Sequence, residues 1–510
     1  MLALVHGYAL HGIEGLPVRV EVDVASGLPA FEVVGLPDAA VKEARDRVRA
    51  GLRNAGFTFP ASRVVINLSP ADLKKEGAGF DLPIAVGILS ATHQVPAHEL
   101  NDTVFIGELA LDGGIRPVRG VLPIVIAARQ AGIRRIVLPQ GNAVEASCIH
   151  DIEALPARDL SQVAAWMRGE NALTPEPPRA FDAFCQSGEP EVDLATVIGQ
   201  QSAKRALEIA AAGAHNLLMT GPPGAGKTLI ARCLPGILPD LSFEEALEVT
   251  RIHSAASGIA PGEGLMVRRP YRAPHHTASV ASLIGGGSRA VPGEISKAHL
   301  GVLFLDELPE YPRAMLEGLR QPMEDGTVSV VRVGAQMVYP ARFMLVCAMN
   351  PCPCGFLGDA RHACRCTPLQ IERYRGRISG PLLDRIDLRV EVEAIAPGAF
   401  LRGQREDAPE TSAVVRQRVL AARDRQRVRY RDSAAYANAH LSAAELKIYC
   451  RADDEALALL ERAATAIALS GRGQARMLKL ARTIADLEDC EAIAAHHIAE
   501  ALQFRGATTR

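Results

Sequence analysis

Apolar and polar residues alternate through Val18–Val24 (VRVEVDV), and the same β-like texture returns in SRVVINL (62–68), VFIGELAL (104–111) and RRIVLP (134–139). A period of two turns one face of each segment to a core and the other to water, which predicts strands. Between them DAAVKEARDRVRAGLRNAG (38–56) is Ala-rich and helical in pattern, so residues 1–167 read as an α+β domain. Residues 168–192 are Pro-rich and charged, lose all periodicity and read as a linker. From 193 to 395 short, wholly apolar runs alternate with helical stretches. Strands covered on both faces lose their alternation, so this pattern predicts a parallel sheet with crossover helices. Residues 396–510 read as helical, and LSAAELKIYC places Ser442 and Glu445 at capping-box spacing. The fold class expected is α/β.

A chain of 510 residues has room for several domains, each with its own core. Hydrophobic residues at 48% and charged residues at 22% exclude a disordered chain. Lys+Arg 56 against Asp+Glu 58 leaves a formal net charge of -2, which neither favours nor excludes a nucleic-acid partner. The first residues carry His6, His11 and Glu14 where a secretory leader would be apolar, and no run reaches the ~20 apolar residues of a bilayer span. A cytoplasmic protein without a membrane partner is expected, in which paired cysteines point to metal or catalysis rather than disulfides.

The chemistry concentrates after residue 216. NLLMTGPPGAGKTLIARCL has an apolar run, then Gly221, Pro222, Pro223, Gly224, Ala225, Gly226, Lys227 and Thr228 in the G-x-x-x-x-G-K-[ST] pattern, then a helical run. Small residues let backbone amides converge on a phosphate chain, the lysine spans the terminal phosphates, and the hydroxyl reaches Mg²⁺. HLGVLFLDELPE delivers Asp306 for the metal's water shell and Glu307 to polarise an attacking water. FMLVCAMNP ends in Asn350, suited to orienting water or the γ-phosphate. ATP and Mg²⁺ are therefore the expected substrate and cofactor.

Three further features leave alternatives open. The segment 266–296 joins Arg268, Arg269, Arg272, His275 and His276 to a glycine run, which suits a loop following a phosphate backbone but also a plain solvated loop. TVSVVRVGAQMVYPARFMLV (327–346) reads as two β-like runs joined near Gly334, a hairpin carrying Arg332. NPCPCGFLGDARHACRCTP (350–368) holds Cys352, Cys354, Cys364 and Cys366 as two Cys-x-Cys pairs around a nine-residue loop. Four thiolates suit tetrahedral Zn²⁺ in a closed structural shell, with reduced thiols or an iron–sulfur cluster as the alternatives. His362 is surplus to such a site.

From these motifs the region after about residue 193 resembles AAA+ ATPases of the branch that holds the magnesium-chelatase ATPase subunits and the MCM replicative helicases. The resemblance implies an arginine finger at Arg385 of LLDRID, acting on a neighbouring subunit's nucleotide, and a γ-phosphate sensor at Arg472, with Arg476 the second candidate. Arginine suits both roles because its fork stays charged. A finger acting in trans implies a ring, and the branch implies a homo-hexamer. It also implies that the hairpin around Gly334 lines a central channel, with Arg332 where the MCM rings keep a lysine. Through GVLFLDELPE, APHHT, NPCPCG and LLDRID the chain closely resembles the ComM (YifB, Mg-chelatase-like) family along essentially its whole length. That implies a hexameric ATP-dependent DNA motor promoting branch migration, helicase-like, during natural transformation and recombination. Single-stranded and branched DNA and recombination proteins are the implied partners. The rival is a chelatase-type motor that remodels a protein for metal insertion.

KKEGAGFDLPIAVGIL and GELALDGGIRPVRGVL resemble the Lon proteolytic domain, of S5-like α+β fold. Alignment on the family's motifs puts Gly77 in the place of the serine nucleophile and Leu122 in the place of the lysine, so no Ser-Lys dyad is expected. The implied architecture is an S5/Lon-like domain at 1–167, a linker at 168–192, an AAA+ P-loop core at 193–395 with the cysteine insertion at 350–368, and a C-terminal helical lid at 396–510.

Overall fold

In the computed structural model the described residues are all except 186–191, 288–289, 333–334, 360, 395–408, 434 and 506–510, and excluding the side chains of Arg332 and Ala335. The fold is mixed α/β. Its contacts gather into two units, one of Met1–Gln186, Ser242–Val267 and Ala290–Pro292, the other of Ser187–Leu241, Arg268–Arg289 and Gly293–Arg510.

The first unit is built on a seven-stranded sheet. Strands β1 (Leu2–His11), β2 (Glu14–Ala25), β3 (Ala30–Val34), β4 (Arg63–Ser69), β5 (Thr103–Phe105), β6 (Arg135–Pro139) and β7 (Glu153–Ala157) lie in the order β3-β4-β2-β1-β5-β6-β7. β2 pairs antiparallel with β1 and β4, and the remaining pairs are parallel. The alternation in β2 does what its period requires, burying Val18, Val20 and Val22 and turning Arg19 outward. Helix Asp81–Ala91 is buried at every residue and apolar except for Asp81 and Ser90. Gly87 lets it approach the sheet, since a Cβ there would stand 2.5 Å from a methyl of Val22.

Two stretches join this unit for tertiary reasons. Residues 168–185, expected as linker, run along it: Glu176 N–H donates to the Ala154 carbonyl at 2.9 Å, Arg179 N–H to that of Ser147 at 3.0 Å, and Phe181 and Phe184 pack on its core. Helix Phe243–Ala256, started by a Ser242/Glu245 capping box, packs there through Phe243 and Leu247. Its Ser254 hydroxyl donates to buried Glu145, and its Ser254 carbonyl accepts from Gly120 N–H at 3.0 Å.

The second unit holds an all-parallel sheet of β8 (Leu217–Thr220), β9 (Tyr271–Arg272), β10 (Val302–Leu305), β13 (Met344–Met349) and β14 (Leu388–Glu391), ordered β9-β10-β13-β8-β14. A separate antiparallel hairpin, β11 (Thr327–Arg332) with β12 (Ala335–Pro340), precedes β13. β10 and β13 are buried at every residue, as their unbroken apolar runs require. Helices Ser412–Arg429, Asp454–Ala466, Gly471–Leu487 and Ala495–Gln503 share one apolar core with the sheet. The Ser442/Glu445 capping box is formed at the start of helix Ala443–Tyr449. Among the described residues no helix is long and apolar enough to cross a membrane.

Candidate nucleotide site and four-cysteine cluster

Three neighbouring parallel strands deliver the chemistry at their carboxyl ends: β8 opens into the 221–226 loop, β10 into Asp306 and Glu307, β13 into Asn350. Such an edge is where open parallel sheets hold ligands. Gly221 passes so close to β14 that a Cβ would stand 2.2 Å from the Val392 carbonyl oxygen. Gly226 takes φ 90° and turns the chain into helix Lys227–Ile237, whose first amides have no helical partner and can receive an anion. The loop, Lys227, Thr228, Asp306, Glu307, Met349 and Asn350 enclose a cavity of about 340 Å³.

Lys227 is buried, and its ammonium donates to the carbonyls of Gly221 at 2.7 Å and Pro222 at 2.9 Å and to Asn350 Oδ1 at 3.1 Å. Burial lowers its pKa, and the nearby carboxylates of Asp306 and Glu307 work against that shift. Thr228 Oγ1 donates to Asp306 Oδ2 at 2.7 Å, two hard oxygens side by side as an Mg²⁺ shell requires. Glu307 sits at φ 52° with its N–H on Asp306 Oδ1 at 2.9 Å, and its side chain is half exposed toward a second cavity of about 350 Å³.

That second cavity holds His275, His276 and Tyr311, with His276 Nδ1 3.6 Å from Glu307 Oε2. The histidines read as DNA contacts thus line a space that also includes Thr228, Asp306 and Glu307. The arginines of that segment have separate surroundings. Arg269 donates to the carbonyls of Pro239 and Leu300 at 2.9 and 2.8 Å, Arg272 to Glu294 at 2.6 Å, and Arg268 is exposed. Arg332 closes strand β11, and its side chain lies outside the described residues.

Arg385, Arg472 and Arg476 are absent from the lining of the 340 Å³ cavity. Arg385 donates to the Pro381 carbonyl at 2.6 Å and to Glu324, and Arg472 Nη1 stands 3.7 Å from the same Glu324 oxygen. Arg476 donates to the Ile386 carbonyl at 3.3 Å and lies 3.6 Å from Asp384. Nothing in the sequence signals Glu324, which meets both arginines only through the tertiary fold.

The four cysteines come together. Sγ of Cys352 lies 3.4 Å from that of Cys354 and 3.7 Å from that of Cys364, Cys354 and Cys364 are 3.6 Å apart, and Cys366 Sγ accepts the Cys354 N–H at 3.4 Å. Zinc–thiolate bonds of about 2.3 Å give a tetrahedron with edges of about 3.8 Å, so the spacing fits one ion. Backbone N–H groups of Phe356 and Arg365 lower the Cys354 thiol to about 6, while burial and the neighbouring thiols raise Cys364 and Cys366. Gly355 ties the cluster to the phosphate loop, since a Cβ there would stand 2.6 Å from Pro223 Cδ. His362 turns away onto Phe356 and Asp359. Glu488, Cys490 and His497 also cluster. There His497 Nδ1 accepts the Ala494 N–H at 2.9 Å, which leaves the proton on Nε2, the atom facing Glu488 and the one a metal would need.

Comparison with known proteins decides the family. The chain is 45% identical to the competence protein ComM of Haemophilus influenzae over 99% of this chain and 97% of that one, and 44% identical to the uncharacterized protein YifB of Escherichia coli over the same shares. The chain belongs to the ComM/YifB family. Within it, the family described as magnesium chelatase, subunit ChlI, matches residues 193–399, the subunit ChlI of Mg-chelatase family matches 20–142, and the ChlI C-terminal family matches 409–505. The Mg-chelatase 38 kDa subunit of Rhodobacter capsulatus is more distant, 25% identical over 61% of this chain and 85% of that one. Membership in this Mg-chelatase-like AAA+ family carries ATP and Mg²⁺ with it as the nucleotide and metal of the site.

Proposed function

We propose that this protein is an ATP-hydrolysing DNA motor of the cytoplasm, working as a homo-hexamer that moves on single-stranded and branched DNA. It promotes branch migration, as a helicase or translocase, when DNA is integrated during natural transformation and homologous recombination, alongside recombination proteins. The observation that carries the hydrolytic part is the meeting of Lys227 with Asn350 and of Thr228 with Asp306 at one sheet edge. Full-length similarity to a protein named for competence supports the DNA part.

In this reading the amides of the 221–228 loop and Lys227 hold the β- and γ-phosphates. Thr228 and Asp306 would hold Mg²⁺, which neutralises charge on the phosphoryl oxygens when bound. Glu307 polarises the attacking water, and Asn350 holds the Lys227 ammonium and the γ-phosphate in line. Arg385 acts as an arginine finger on a neighbour's nucleotide, consistent with its absence from the chain's own cavity. Arg472, the γ-phosphate sensor, is read as acting on the same phosphate because both arginines meet one Glu324 oxygen. Cys352, Cys354, Cys364 and Cys366 hold a structural Zn²⁺ that stiffens the segment against Pro223. Arg268, Arg269, Arg272, His275, His276 and Arg332 are the candidates for DNA, and among them Arg269, Arg272 and His276 also have contacts within the unit.

A chelatase-type motor acting on a protein partner is the second reading, favoured by the descriptions of the three matching families. Steady-state ATPase rates separate the two. Single-stranded DNA and a four-way junction are expected to raise the rate several-fold over DNA-free protein, more than linear duplex does. A rate indifferent to all three DNAs would contradict the motor reading.

A further inference from the structure

The two arginines that stand as phosphate readers meet on one carboxylate. Arg385 donates to Glu324 Oε1 and Arg472 Nη1 approaches the same atom to 3.7 Å. Arg385 is largely enclosed, its side chain 14% exposed and its other nitrogen fastened to Pro381, while Arg472 is 79% exposed and reaches in from the helix Gly471–Leu487. Two guanidinium groups repel at this distance unless an anion sits between them. An oxygen bearing negative charge between two arginine forks is also the arrangement that a terminal phosphate offers.

Glu324 is joined to the hairpin. It lies near the end of helix Arg320–Asp325, which Gly326 closes at φ 66° before β11 begins at Thr327. The Gly326 carbonyl accepts the Ala341 N–H at 2.8 Å, so the helix end and both feet of the hairpin are fastened at one point. A displacement of the hairpin base moves Glu324 with it. At its far end the hairpin exposes Val331 at 76%, an apolar surface without cover in the unit.

We propose that Glu324 is a latch on the trans-acting arginine pair. It occupies Arg385 and Arg472 while the hairpin carries no DNA, and it withdraws when DNA shifts the hairpin, releasing both guanidinium groups to a neighbouring subunit's γ-phosphate. The proposal rests on the reading of these arginines as acting across a subunit boundary and of the hairpin as a DNA element. An ion pair half open to water is weak enough to exchange for a phosphate that carries more charge and three acceptor oxygens. Glu324 acts through the arginines and is a positioning residue.

The test is steady-state ATP turnover of the full chain carrying Glu324→Gln, Glu324→Asp or Arg385→Ala, each with and without single-stranded DNA and over a range of ATP. Glu324→Gln is expected to raise the DNA-free kcat about fivefold, equivalent to about 1 kcal/mol, and to shrink the stimulation by DNA by the same factor. KM for ATP is expected to change less than about twofold, since the chain's own phosphate loop is untouched. Glu324→Asp, keeping the charge on a shorter stem, restores most of the parental DNA dependence. A Glu324→Gln protein with parental DNA-free turnover and parental stimulation, or one as inactive as Arg385→Ala, overturns the latch. Arg385→Ala distinguishes the two layers. Full activity of that variant overturns the trans-arginine reading and the latch together, whereas its inactivity beside a parental Glu324→Gln overturns the latch alone.

Discussion

Two strand-loop-helix segments of this chain pair a lysine with a glycine-rich run, and they have opposite fates. In the first unit KKEGAG leads from β4 toward helix Asp81–Ala91, and in the second GPPGAGKT leads from β8 into helix Lys227–Ile237. Both lysines are buried and both donate to loop carbonyls, Lys75 to Pro70 and Lys227 to Gly221 and Pro222. Burial lowers the pKa of each. The difference lies at the helix start. In the first unit the helix start is met by the chain's own groups: Asp81 accepts the Leu109 N–H at 3.2 Å and two Arg47 nitrogens at 2.6 and 3.0 Å, and the Leu82 N–H donates to the Gly107 carbonyl at 3.1 Å. In the second the first turn opens on the 340 Å³ cavity. At the two positions aligned with the Lon nucleophile and base, Gly77 N–H donates to Asp38 and Leu122 N–H to Glu145. The two loops thus differ in whether the helix start faces the chain's own polar groups or a cavity that can take an anion.

Lys227→Ala gives the largest effect expected from this contrast. It removes the ammonium that meets the phosphates, and turnover is expected to fall about a thousandfold, read as steady-state phosphate release. Parental turnover would place the catalytic loop elsewhere. Next is Asp81→Ala, which takes from half-buried Arg47 its main partner, leaving it the Ala40 carbonyl and Glu43, and is expected to cost about 2 kcal/mol of stability in denaturant titration, with nucleotide affinity unchanged. A loss of affinity instead would make the first loop part of the nucleotide site.

The cysteine cluster bears on how the open loop is kept open. With Cys352 and Cys364 both changed to Ser, metal analysis is expected to fall from about one zinc per chain to none, because two thiolates bind too weakly. DNA-stimulated turnover then drops about tenfold while nucleotide still binds, since Pro223 loses its buttress but Lys227 keeps its partners. Zinc-free parental protein with undiminished stimulation would contradict the assignment. The smallest effect belongs to Lys75→Met, which replaces a buried ammonium by an apolar side chain of similar length. Stability changes by less than about 1 kcal/mol and turnover not at all, where a drop in turnover would break the contrast.

How much of this was legible depends on distance along the chain. The glycine-rich loop before Lys227, the Asp306–Glu307 pair and Asn350 are legible as candidates because each follows directly on an apolar strand. The cysteines are equally local. The neighbours of Arg385 and Arg472 are not: Glu324 lies in QPMEDGT, a sequence without a motif, and meets them from a different helix. The same holds for His276, whose place beside Glu307 follows from β9 lying next to β10, a matter of strand order. Nor does the capping box at Ser242 tell which core its helix will join. Ser254 and Glu145 decide that from more than a hundred residues apart.

The central claim is that the open loop is a catalytic site half built within one chain and completed by another. Mixing Arg385→Ala subunits with Glu307→Gln subunits tests it most directly, with ATP turnover measured across mixing ratios. Each variant alone is expected to be nearly inactive. The mixture is expected to recover activity, peaking near equal proportions, because one interface in it joins an intact Glu307 to an intact Arg385. A mixture as inactive as its components, formed under conditions where the two are shown to co-assemble, would contradict the account. So would an Arg385→Ala protein fully active as a monomer.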